Sequence, residues 1–162
     1  MADKADQEDK ALDVRTVRPG DPGWDAHVGL FADYRVHYGQ DRDAEQCDRW
    51  LREHVVAGRL LCYLARSRAD DEPVAMAVVG PTAPASMSLG AFWSLRDLYV
   101  AAGHRRRGAG RALVSRVVTD ARAAGAVRIG LQTEPGNEAA LALYRSIGFE
   151  DVTGVTQLLL TL

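Results

Sequence analysis

Lysine is almost missing from this chain: Lys4 and Lys10 are the two present, and every basic residue beyond them is arginine or histidine. A P-loop of the form GxxxxGK[ST] is thereby excluded from the folded part. Cysteine is scarce as well. Cys47 and Cys62 fall in different predicted elements without CxxC spacing, so neither a disulfide framework nor a zinc knuckle is expected, and no metal. No apolar run approaches the roughly 20 residues that cross a bilayer. The opening MADKADQEDK has no apolar segment suited to secretion, so a cytoplasmic protein without a membrane partner is expected.

Acidic residues do not dominate, although the formal net charge is -2. Asp3, Asp6, Glu8, Asp9 and Asp13 crowd the start, and residues 1–13 read as a solvated, disordered tail. The remaining 14–162 are long enough for one substantial core and too short for two, which predicts a single domain. Basicity is local: seven of the nineteen positions from His104 to Arg122 are Arg or His, opposed by Asp120 alone. Such a patch on a nearly neutral domain fits a compact anion better than a nucleic acid, whose binding draws on a broad basic surface.

Alternating polarity over Val14 to Arg18, followed by Pro19 and Gly20, predicts a strand and a turn. Trp24, Val28, Phe31 and Arg35 recur at helical spacing, and a second helix is expected from Ala44 to Val56. RLLCYLAR (59–66) and PVAMAVV (73–79) are short apolar runs around a polar turn, which predicts a hairpin. AFWSLRDLYV (91–100) has the content of a central strand. From Gly108 the period changes, with Leu113, Val117 and Ala121 on one helical face until Gly125. Val127 to Gln132 returns to strand character. Asn137 is suited to cap a helix carrying Ala140, Leu141, Tyr144 and Ile147, which Gly148 ends. Two closing strands, 149–155 and 156–162, complete a mixed α/β order.

Arg105, Arg106, Arg107, Gly108, Ala109 and Gly110 join the predicted central strand to the helix that follows. Amides at a helix start lack intrahelical partners, and the helix dipole adds positive character there, so such a turn binds phosphate. Glycines let the backbone approach a pyrophosphate, and arginines reach neighbouring phosphates. A dinucleotide fingerprint would need a glycine at position 113, which is Leu113. Coenzyme A, with a pyrophosphate and a ribose phosphate, fits a turn with a basic fringe. A turn beside a solvated arginine run is the bland alternative.

LRDLYVAAGHRRRGAGRALV and, about 25 residues later, LQTEPGNEAALALYRSIGF together resemble the GNAT superfamily of N-acetyltransferases. Arg105, Gly108 and Gly110 fill that family's R/Q-x-x-G-x-G/A motif, while Asn137 and Tyr144 fill its companion motif. FWSLRDLYV also resembles a subgroup related to histone and polyamine acetyltransferases. The resemblance implies a GNAT-like α/β fold: a twisted, mostly antiparallel sheet of about seven strands with about four helices, splayed between the fourth and fifth strands. It implies acetyl-CoA as cosubstrate. The backbone of Leu98, Tyr99 and Val100 would run beside the pantetheine arm, amides from Arg106 to Arg111 would hold the pyrophosphate, and Asn137 and Ala140 would meet the cofactor near the next helix. Tyr144 would face the thioester sulfur as proton donor.

An amine attacks a thioester only when neutral, so a base is required. The position where some family members carry a catalytic Glu is Arg96, and arginine cannot serve. Asp97 is the nearest carboxylate, but strand alternation turns it to the opposite face unless a bulge intervenes. Glu134 is a second candidate. Each has a structural alternative, Asp97 as an arginine partner and Glu134 as a solvated loop residue. Tyr34, His37, Tyr38, Asp41 and Asp43 between the first two helices are candidate walls and carboxylates for a cationic amine, or a polar interhelical loop. The expected partner is a small-molecule or peptide amine, with a homodimer among the assemblies allowed. An acyl-CoA-binding regulatory domain without catalysis is the competing reading, and nucleic-acid binding through Arg105 to Arg107 a third.

Overall fold

A computed structural model describes residues 11–85, 89–156 and 158–161. The expected domain comprises two compact units, the first ending at Gln132 and the second beginning at Thr133. The first unit holds β1 (Leu12–Val17), α1 (Trp24–His37), α2 (Ala44–Val56), β2 (Leu61–Ser67), β3 (Pro73–Ala85), β4 (Gly90–Val100), a short 3-10 turn (Ala102–His104), α3 (Ala109–Ala123) and β5 (Ala126–Leu131). The second holds α4 (Glu138–Ile147). The strand β1 starts at Leu12, so the last two residues assigned to the tail belong to the sheet; residues 1–10 lie outside the described residues.

Five strands form one sheet in chain order. β1 to β4 pair antiparallel, and β5 joins β4 in parallel, the pairing that a crossover helix such as α3 permits. Alternation sorts the two faces. Val17, Cys62, Leu64, Met76 and Val78 pack with Trp24, Val28 and Phe31 of α1 and Cys47 and Leu51 of α2. On the other face, α3 meets all five strands and buries Leu113, Val117 and Ala121, the stripe its period predicts. His27 is buried among apolar groups, and its Nδ1 lies 3.2 Å from the Tyr63 carbonyl oxygen. Burial lowers its pKa to about 4, which keeps the ring neutral near pH 7.

About seven strands were expected where the described residues hold five. No strand runs through 149–156 or 158–161. Arg145 instead holds Asp151 at 2.9 Å, and Gly154 turns into left-handed backbone at φ 77°. An apolar, β-branched run has strand propensity only where a neighbouring ladder receives it.

Candidate active site

The centre of the site is set by an extra residue in β4. Val79 faces Leu95 across the ladder, yet the next pair is Val78 with Asp97, leaving Arg96 as a bulge. Directly opposed residues share a face, and Val78 and Val79 point oppositely. Leu95 therefore lies on the α3 face and Asp97 on the face covered by α1 and α2. Without the bulge, positions two apart would have put both on one side.

Asp97 thus opens onto a cleft of about 850 Å³ whose wall includes Phe31, Tyr34, Arg35, Tyr38, Trp50 and Gln132. The Tyr34 hydroxyl donates a hydrogen bond to the Asp97 carboxylate. Burial raises the Asp97 pKa, while the Tyr34 bond and the Arg96 charge oppose the shift. Burial, and then the charge of Asp97, push the Tyr34 hydroxyl upward too, so it stays protonated as the donor. No ion pair within 4.0 Å engages Asp97 among the described residues. Its partner is a tyrosine rather than the arginine of the structural alternative. The Phe31 and Trp50 rings stack 5.9 Å apart and 4° from parallel, and Tyr34 meets Tyr38 edge-on at 5.0 Å.

Of the residues expected to receive the acceptor, Tyr34 and Tyr38 line this cleft. His37 is exposed at the end of α1, against the Tyr38 ring at 5.3 Å, and Asp41 is exposed on the following loop; neither lines the cleft. Asp43 caps α2, accepting the Gln46 amide at 2.8 Å. Phe31, Arg35, Trp50 and Gln132 join the wall without having been singled out as site residues. A signal existed for Arg35: it shares a helical face with Trp24, Val28 and Phe31, an unusual place for a charge.

β5 pairs with β4 only up to Leu131 with Leu95. Beyond it, the edge of β4 from Arg96 through Leu98 and Tyr99 to Val100 has no strand on that side among the described residues, which is the expected splay. At the end of this edge Arg105 folds back. Its Nε donates to the Val100 carbonyl at 3.1 Å, and its guanidinium lies 6.0 Å from the centre of the Tyr99 ring.

The turn that follows holds Arg106 at φ 63° and Gly108 at φ 84°. Left-handed backbone is ordinary for glycine, but for arginine it costs of order 1 kcal/mol. Gly108 is the N-cap of α3 without a side-chain cap. The helix ladder opens with the Ala112 amide on the Gly108 carbonyl at 2.9 Å, so the amides of Ala109 and Gly110 precede it. Two left-handed residues thus flank Arg107 immediately before the helix. The arginine fringe is partly structural: Arg116 is tied to the Val14 carbonyl at 2.9 Å and to Asp120 at 2.9 Å.

In the second unit, Asn137 caps α4 by accepting the Ala140 amide at 3.3 Å. Tyr144 is buried, with its ring edge-on to Phe149 at 5.8 Å. Glu134 is exposed in the turn before α4, where its carbonyl accepts the Asn137 amide at 2.9 Å.

The Acetyltransferase (GNAT) family model matches residues 24–149. YhfO, an uncharacterized N-acetyltransferase of Bacillus subtilis, is 29% identical over 143 residues, 88% of this chain and 93% of that protein. The [ribosomal protein bS18]-alanine N-acetyltransferase of Salmonella typhimurium is 35% identical over 60 residues, 37% of this chain and 40% of that one. A crystal structure of a probable acetyltransferase, 27% identical, superposes with a TM-score of 0.85 over 93% of this chain and 97% of the other. With the family match running from the first residue of α1 to just beyond α4, the chain belongs to the Acetyltransferase (GNAT) family of acyl-CoA-dependent enzymes.

Proposed function

We propose that this enzyme transfers the acetyl group of acetyl-CoA to the nitrogen of an amine by direct attack in a ternary complex, with Asp97 as the general base. The observation that carries this reading is the bulge at Arg96, which turns a half-buried carboxylate into the cleft. The rest of the site has parts suited to the cosubstrate. The β4 edge beyond Leu95, without a strand on the β5 side among the described residues, offers the backbone of Leu98, Tyr99 and Val100 to an extended amide chain. The amides from Arg106 to Arg111, with Gly108, Ala109 and Gly110 at their centre, suit a pyrophosphate. The Asn137 oxygen is engaged by the Ala140 amide, which leaves its NH₂ group as the donor to the cosubstrate.

Acetyl-CoA supplies an activated acetyl thioester. A free alkyl amine with a pKa near ~10 is almost wholly protonated at neutral pH, so proton removal precedes or accompanies attack. Asp97 accepts that proton, and its raised pKa makes it a stronger base than an exposed aspartate. As the nitrogen–carbon bond forms, the carbon–sulfur bond breaks and the departing sulfur takes up a proton, a role that the family resemblance assigns to the Tyr144 hydroxyl. Glu134, exposed in its turn, is assigned no part in this step.

Thiol release from acetyl-CoA over a panel of amines, polyamines, aminoglycosides, amino acids and peptides tests the reading. Tyr144→Phe should lower turnover about tenfold or more while sparing acetyl-CoA affinity. Tight acetyl-CoA binding without thiol release for any amine would identify a binding domain instead.

A further inference from the structure

The charge on the cleft wall narrows the acceptor. Arg35, Arg96 and Asp97 are its charged residues, a net charge of +1. Among the described residues no carboxylate lies within 4.0 Å of either arginine. Arg35 hydrogen-bonds the Cys47 thiol, whose pKa is raised by burial, so its partner is neutral and leaves the guanidinium charge uncompensated. If Asp97 is engaged by the reacting amine, two guanidinium groups face whatever else the acceptor carries.

A polyamine or an aminoglycoside would bring further ammonium groups against these like charges, with no second carboxylate on the wall to receive them. A carboxylate on the acceptor would meet the opposite situation. Arginine's planar fork matches it in shape and charge. The remaining wall is aromatic, with Phe31 stacked on Trp50 and Tyr34 against Tyr38, and suits an apolar body.

We infer that the acceptor is a small amine bearing both a carboxylate and an apolar side chain, an amino-acid-like acid recognised by Arg35 and Arg96. The inference rests on the cleft being the acceptor site of the proposed reaction. Phenylalanine and leucine are compared with phenylalaninamide, leucinamide, phenethylamine and isoamylamine, and with spermidine and kanamycin as polycations, by thiol release from acetyl-CoA at saturating cosubstrate.

The acids should exceed their amides and decarboxylated amines by about tenfold or more in kcat/KM, the scale of one charge-assisted contact. Arg35→Ala and Arg96→Ala should each bring that ratio toward one. Where a variant does not fold, the wild-type ratio decides alone. Amides, simple amines or polycations turned over as well as the acids would overturn the inference and leave the acetyltransferase reading standing. So would arginine variants that fold and keep the wild-type ratio. No thiol release with any compound, despite acetyl-CoA binding, would overturn both.

Discussion

Asp97 carries opposed demands: burial raises its pKa, and the Tyr34 hydroxyl and Arg96 hold part of the charge in place. Replacing it with Asn keeps an acceptor for Tyr34 and removes the base. Turnover at pH 8 should fall by about 10²-fold or more, with acetyl-CoA affinity retained. Stability should move the other way. A carboxyl whose folded pKa lies above its unfolded one favours folding below the unfolded value and loses that contribution as pH rises through the folded value. The melting temperature of Asp97→Asn should therefore exceed wild type at pH 8, with the gain shrinking as pH falls through the raised Asp97 pKa. Paired thermal melts and rates across pH 4–9 check both halves. Asp97 was legible as a carboxylate of interest but not as a cleft residue. Its facing depends on the β3–β4 register, which no local pattern in FWSLRDLYV encodes.

At the scale of elements, the turn before α3 concentrates most of what can be tested. Gly108 holds left-handed backbone at the N-cap of α3, beside the amides that open the helix. Gly108→Ala should cost about 1 kcal/mol of stability through backbone strain. Gly108→Asp adds a negative charge and should abolish acetyl-CoA binding in titration calorimetry while the far-ultraviolet circular dichroism stays that of the wild type. Unchanged affinity would remove this turn from the cosubstrate site. This element was readable because glycine spacing and helical period are local. So was α2, found over the predicted Ala44–Val56, since its buried Cys47 and Leu51 and its cap Asp43, the residue just before it, are local in sequence. The two closing strands were overread for the converse reason. Leu158, Leu159 and Leu160 supply strand propensity, but pairing is a property of two segments, and one segment cannot announce it. The acceptor wall was half legible: Tyr34 and Tyr38 belong to it, while Trp50 reaches it only because α1 and α2 pack together.

For the whole molecule, ligand binding and stability are linked. Acetyl-CoA at about 100 times its Kd should stabilise the protein by about 2.7 kcal/mol, a rise of about 5–10 °C in melting temperature for a chain of this size. Calorimetry with and without ligand checks it, and Gly108→Asp should show no shift. The basic fringe implies that the effect weakens in salt. The bulge at Arg96 has a consequence at this scale as well. It acts as a phase shift in β4: the first half of the strand, through Trp93 and Leu95, is in step with the packing under α3, and the second half, from Asp97 to Val100, is one residue out of step and in phase with the cleft. One continuous strand thus carries two independent frames. Substitutions downstream can vary chemistry without repacking the upstream core, whereas straightening the ladder with every residue kept would pair Arg96 with Val78 and turn Asp97 away from the cleft.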